Sequence, residues 1–145
     1  MARIEGSVEI SSPVAKVFSY TSEAKSWPEW QSIIIEAEQI SQGHMRVGTT
    51  FKGKVHMMGL TMKWTGEVTE YEQNRNWTKK IISGDLSIIE RVTYDHVKRG
   101  TKFTIVYDMK IGGFMKLFSP MLVNTMRRET RKSLHDLKNI LKAQT

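Results

Sequence analysis

The chain has 145 residues, 39% hydrophobic and 26% charged, with a formal net charge of +7 and no cysteine. That size suits one domain with a real core, and the composition excludes a disordered chain, disulfides and thiolate metal sites. No apolar run is long enough for a transmembrane helix, and the start MARIEGSVEI lacks the continuous apolar stretch of a secretory signal, so a cytoplasmic protein is expected.

Ile4, Val8 and Ile10 alternate with polar residues and predict a first strand over 2–11. Ser12-Pro13 is a helix start, with the serine as cap and the proline at the first helical position. Val14, Val17, Phe18 and Thr21 follow at helical spacing to about Ala24. Trp27-Pro28 ends that helix, because the residue before a proline is pushed out of the α region.

From Ile33 to Ile111 the period changes to two. Strands are predicted over 33–41, 50–58, 62–69, 77–82, 87–97 and 103–111, separated by short turns such as Gly59, Asn74-Arg75-Asn76, Gly84-Asp85 and Lys98-Arg99-Gly100. Six consecutive strands with short polar turns form an antiparallel meander. Ser119-Pro120 repeats the cap-plus-proline signal, either starting the main helix or kinking one begun at Phe114. Leu122, Met126, Thr130, Leu134, Leu137 and Leu141 then lie at 3.6-residue spacing, with the basic residues mostly opposite. The fold class is α+β.

Several stretches taken together resemble a known group. They are SSPVAKVFSYTSEAKSWPEW after the first strand, VGTTF at 47–51, GEVTEYEQNRNW at 66–77 and RRETRKSLHDLKNIL in the last helix. In this order they resemble the START-like (SRPBCC) superfamily, in particular its polyketide cyclase/dehydrase and lipid-transport group and the coenzyme Q-binding relatives. The resemblance implies a single ligand-binding domain over 1–145 with a helix-grip fold. In that fold a curved antiparallel sheet of about seven strands, in the order β-α-α-β6-α, wraps a long C-terminal helix. It also implies an apolar ligand held between sheet and helix. No catalytic motif common to the family is carried over. A second short helix starting near Glu29 or Trp30 would put Trp27 and Trp30 in the junction that closes one end of the grip, with Trp30 bordering the cavity mouth.

A curved sheet cannot pack flush on a straight helix, so side chains or a ligand must fill the gap. The inward strand positions are Phe51, Val55, Met57, Met62, Trp64, Ile88, Val92, Phe103, Ile105, Tyr107 and Met109, and the helix adds Phe118, Leu122 and Met126. Gly53 and Gly66 fall on the same faces and permit bending or leave room. Nine methionines suit a surface that accepts variable apolar shapes. Glu90 shares the face of Ile88 and Val92. It is either a polar ligand contact and general acid–base group or the partner of a nearby Lys or Arg. Tyr107 is the other weak catalytic candidate, against a plain core tyrosine.

His44, His56, His96 and His135 show no metal-ligand spacing, and neither a nucleophile elbow nor a phosphate loop is present, so no metal and no cofactor are expected. From Pro120 onward six Lys/Arg stand against two acids, Glu129 and Asp136. This basic face reads as solvated, with transient membrane or protein contact as its alternative use. Nucleic acid is not expected as a partner, because no tryptophan is interleaved with that face. The leading expectation is binding or transport of a small hydrophobic ligand, such as a lipid, an isoprenoid or a polyketide-like compound. The alternative is a cyclase/dehydrase working by general acid–base catalysis in the same cavity.

Overall fold

The computed structural model describes residues 2–143. Strand β1 (Ala2–Ile10) leads into α1 (Val14–Thr21), a 3-10 turn (Ala24–Ser26) and α2 (Trp27–Trp30). The meander follows as β2 (Ile34–Gln39), β3 (Thr50–Met57), β4 (Leu60–Glu72), β5 (Asn76–Ser83), β6 (Leu86–Val97) and β7 (Gly100–Ile111). A 3-10 segment (Gly113–Phe118) runs into α3 (Ser119–Ala143). All seven strands form one antiparallel sheet in the order β1-β7-β6-β5-β4-β3-β2, curved and unclosed, with β1 and β2 at its two edges. With the long helix against its concave face, this is the helix-grip architecture expected from the sequence.

The alternation that predicts the strands also decides what they bury. Along β4, Trp64, Gly66 and Val68 are buried while Lys63, Thr65 and Glu67 are exposed. The stripe on α3 does the same at helical period, burying Leu122, Met126, Thr130, Leu134, Leu137 and Leu141. The helix runs over β1, where Leu134 and Thr130 sit on Gly6.

Two local expectations are corrected. Ser12 does not cap α1: the residue before the helix is Pro13, in extended conformation, and the buried Ser12 hydroxyl has no hydrogen-bond partner among the described residues. Pro28 does not end the first helix either. That helix stops at Thr21, and Pro28 stands in the first turn of α2, where its missing N–H costs no hydrogen bond. Ser119 starts α3 directly after the 3-10 segment, with its hydroxyl turned back to donate to the Lys116 carbonyl at 2.9 Å.

Candidate functional site: a caged ion pair beneath the helix

Strand register puts Lys79 of β5 opposite Glu90 of β6, and Glu90 opposite Tyr107 of β7. The three form a transverse polar row on the concave face. Lys79 is reached by counting twos from Trp77, since Trp77, Lys79, Ile81 and Ser83 share that face and Lys80 and Ile82 point outward. Both members of the Lys79–Glu90 pair are buried, with side chains 4% and 5% exposed and Nζ 3.3 Å from Oε1.

Aromatic rings complete the setting. Lys79 Nζ lies 3.5 Å from the ring centroid of Trp27 and 5.4 Å from those of Phe51, Trp64 and Trp77. Ring faces carry negative potential, so this box stabilises a cation that has lost its water. Burial nonetheless pulls the Lys79 pKa below its ordinary value, with the Glu90 carboxylate opposing that shift. Trp27 is held from above, its indole N–H donating to the Thr21 carbonyl at 2.8 Å. The Trp77 indole donates to the Tyr94 hydroxyl at 2.9 Å. Burial first, then the neighbouring Glu90 charge, raises the Tyr107 pKa well above the usual tyrosine value. Its hydroxyl donates to the Gln31 side-chain oxygen at 3.4 Å, a long bond.

Above this row lies a cavity of about 70 Å³. Ile33, Ile34, Val55, Met57 and Met62 wall it on the β2–β4 side, and Met126 closes it from α3. Lys79, Glu90, Tyr107 and Gln31 supply its polar edge. Trp64 Nε1 is buried without a hydrogen-bond partner among the described residues, and Glu90 Oε1, which makes no geometric hydrogen bond, has the Lys79 ammonium 3.3 Å away as its ion-pair partner. A larger groove of about 670 Å³ between α1 and the β2–β3 connection is open and of mixed lining, with Phe18, Met45 and Tyr71 beside Glu23, Gln39 and His44, and contains none of the ligand-binding residues expected from the sequence.

Of those residues, Val55, Met57, Met62, Trp64, Ile88, Glu90, Tyr107 and Met126 meet around the cavity. Phe51, Val92, Phe103, Ile105, Met109 and Leu122 are buried in the core and do not line it. Trp30 is also buried off the cavity wall, its ring 5.8 Å from that of Phe103 and nearly perpendicular to it. Phe118 is 42% exposed, on the outer side of the segment before α3. The room left by glycine is occupied by protein: the Lys79 stem lies over Gly66, and the Glu36 carbonyl and the Trp64 ring crowd Gly53. Lys79, Gln31, Ile33, Ile34, Ile81, Ser83 and Leu86 join the lining without having been expected there. Alternation along β5 is the available signal for Lys79, Ile81 and Ser83. Among the described residues no group of three or more His, Cys, Asp or Glu could hold a metal ion.

Compared with known families, residues 1–142 match the model described as polyketide cyclase / dehydrase and lipid transport. The chain belongs to this family. No curated protein matches it in sequence. Among solved structures, the family fold recurs in the Zhui aromatase/cyclase of a Streptomyces species at TM-score 0.83 and 11% identity, covering 97% of this chain and 93% of that one. A START superfamily protein from Mycobacterium smegmatis aligns at TM-score 0.82 and 12% identity, covering 99% of both chains. A Thermus thermophilus protein gives 0.81 and 14%, again covering 99% of both. At such identities the likeness is one of fold. The family membership supports a cyclase/dehydrase or START-like ligand-binding domain, and the choice between these falls to the site.

Proposed function

We propose that the chain binds or carries a small hydrophobic ligand, such as a lipid, an isoprenoid or a polyketide-like molecule, between the sheet and α3. The observation that carries this reading is the cavity with apolar walls and one polar edge, where the Trp64 indole N–H is buried without a partner among the described residues and the Glu90 carboxylate has an ion pair but no geometric hydrogen bond at Oε1. Buried polar groups are nearly always hydrogen-bonded, and each exception calls for a reason. A ligand with one polar end and an apolar body supplies the missing hydrogen bonds and covers the methionines.

The cavity is far smaller than the roughly 300–1,000 Å³ of ordinary ligand sites, so a lipid-sized guest must push its walls apart. Three of the wall residues are Met57, Met62 and Met126, whose unbranched side chains repack at low cost. The α2–β2 link is tied to α3 by exposed bonds, from Ser32 to Glu129 at 3.1 Å and from Lys132 to Ser32 at 3.4 Å. Parting there breaks few interactions.

Native mass spectrometry of protein purified from its own host, followed by organic extraction, tests the reading. An apolar species should co-purify. Recovery of none, with no change of tryptophan emission on titration with fatty acids, quinones and aromatic polyketides, would sink it.

The row of Lys79, Glu90 and Tyr107 favours one second reading, a cyclase/dehydrase in which these groups move protons on a folded substrate. A Lys79→Gln/Glu90→Gln variant separates the two. It should abolish turnover in an enzyme, whereas a carrier should still retain its ligand, with weakened affinity.

A further inference from the structure

The segment leading into α3 is apolar on both sides. Its inner side, with Met115 and Leu122, packs on the core. Its outer side presents Phe114, Leu117, Phe118 and Met121 at 72%, 74%, 42% and 58% exposure. Phe114, Leu117 and Phe118 lie in the 3-10 segment and Met121 in the first turn of α3, and the Phe114 and Phe118 rings meet edge to face at 5.6 Å. Apart from Lys116 the segment carries apolar side chains on its outer as well as its inner side, and apolar helical faces are normally buried. Here one side has no cover among the described residues.

A second apolar tip stands at the same end of the sheet. In the meander, the β3–β4 turn, the β5–β6 turn and the end of β7 all lie at one end. The β3–β4 turn carries Met58 and Leu60, 38% and 61% exposed. Among the described residues, six of the ten exposed large hydrophobics therefore gather at this end. The charge there is one-sided. Residues 109–128 hold Lys110, Lys116, Arg127 and Arg128 and no Asp or Glu. None of these four forms a salt bridge among the described residues. The acid of the neighbouring turn, Asp85, lies against Gly113.

From this end we propose that the protein docks on an anionic lipid bilayer, with Phe114, Leu117, Phe118 and Met121 entering the acyl boundary and Lys110 and Lys116 at the headgroups. Apolar side chains flanked by cations fit a surface that is negative outside and hydrocarbon within. A second copy of this chain is a poorer partner, since a symmetric contact would set the four cations against their own copies. Nucleic acid offers the charge but nothing to cover four apolar side chains. The docking rests on the outer surface and holds whether or not the cavity takes a ligand. Where it does, the cavity wall at Met57 and Met62 adjoins the docked end.

The test is sedimentation with vesicles of phosphatidylcholine alone or mixed with phosphatidylglycerol. Wild type should pellet with the mixed vesicles, and less so in high salt. Phe114→Ser/Leu117→Ser should weaken this by about tenfold or more without changing the melting temperature, because both side chains are exposed. Lys110→Glu/Lys116→Glu should remove the preference for phosphatidylglycerol. In a Leu117→Trp variant the new indole should shift to the blue on vesicle addition, over a background of four native tryptophans that are all buried. Wild type remaining in the supernatant with both vesicles overturns the proposal. So does undiminished pelleting of the Ser/Ser variant, which would move the contact to the basic face of α3. So does a solution dimer that the Ser/Ser variant dissolves, which would make a second copy the cover.

Discussion

Lys79 holds its ammonium 3.5 Å from the centre of the Trp27 ring, so a tryptophan from the helical corner covers a cation from the middle of the sheet. This contact ties the α1–α2 corner to β5 at a point where neither side meets water. Trp27→Leu should therefore cost more than the loss of one aromatic side chain, by about 4 kcal/mol or more in chemical denaturation. A loss below about 2 kcal/mol would show that the remaining rings hold the cation unaided.

The Lys79–Glu90 pair should behave as a unit. Glu90→Gln alone leaves a buried cation without a counter-charge and should destabilise by about 3–5 kcal/mol. Lys79→Met/Glu90→Leu should recover most of that loss, since a matched apolar pair carries no desolvation penalty. Equal losses in the single and double variants, read from denaturation midpoints, would refute the coupling.

Acid stability should depend on Asp108. On the outer face its carboxylate accepts from Arg3 of β1 at 2.7 Å and from Arg91 of β6 at 2.7 Å, joining three strands. The Arg3 hydrogen bond and charge, seconded by Arg91, hold its pKa below the usual carboxylate range. The unfolded chain takes up this proton near pH 4, and the folded chain takes it up only at lower pH. The contribution is thus complete above about pH 4 and is lost as the pH falls through the depressed folded value. Asp108→Asn should flatten the acid limb of a stability–pH curve. An unchanged limb would assign it to other carboxylates.

Gly53 should tolerate no side chain. A Cβ there would collide with the Glu36 carbonyl of the paired strand and stand 2.7 Å from the Trp64 ring. Gly53→Ala should cost about 1–3 kcal/mol and disturb the cavity wall through Trp64. A melting temperature within a degree or two of wild type would mean that β2 gives way freely.

Filling the cavity should uncouple binding from folding. Ile88→Phe puts a ring into the space beside Glu90, and ligand retention should fall about tenfold while stability changes by less than about 1.5 kcal/mol. Retention at the wild-type level would place the ligand elsewhere.

The fold is readable because period-two strands and one long amphipathic stripe each have a single way to bury their apolar face. Faces therefore follow directly along β4, while Ser12 marks the right helix start without capping it and Pro28 marks the start of α2 rather than the end of α1. The site is less readable. Alternation tells which side of a strand a residue occupies, and curvature decides whether that side meets the cavity or the core. Hence Val55 and Phe103 are equivalent in sequence but separated in space. Lys79 escapes a reading by residue type because lysine is seldom buried, and only the four rings around it make that burial tolerable.

The sheet is unclosed, and its two edges differ in how they are finished. α3 packs over β1 through Leu134 and Thr130 on Gly6, while short β2 begins with a pairing shift between Ile34 and Glu36 and is linked to the helix by the bonds of Ser32 just before it. No strand ladder crosses that seam. Under the proposed carrier function, interior volume could therefore vary at constant secondary structure, with guests of different girth widening this seam and leaving the rungs of the sheet intact. Loading should leave far-ultraviolet circular dichroism unchanged, and amide exchange should respond along β2 and the first turns of α3.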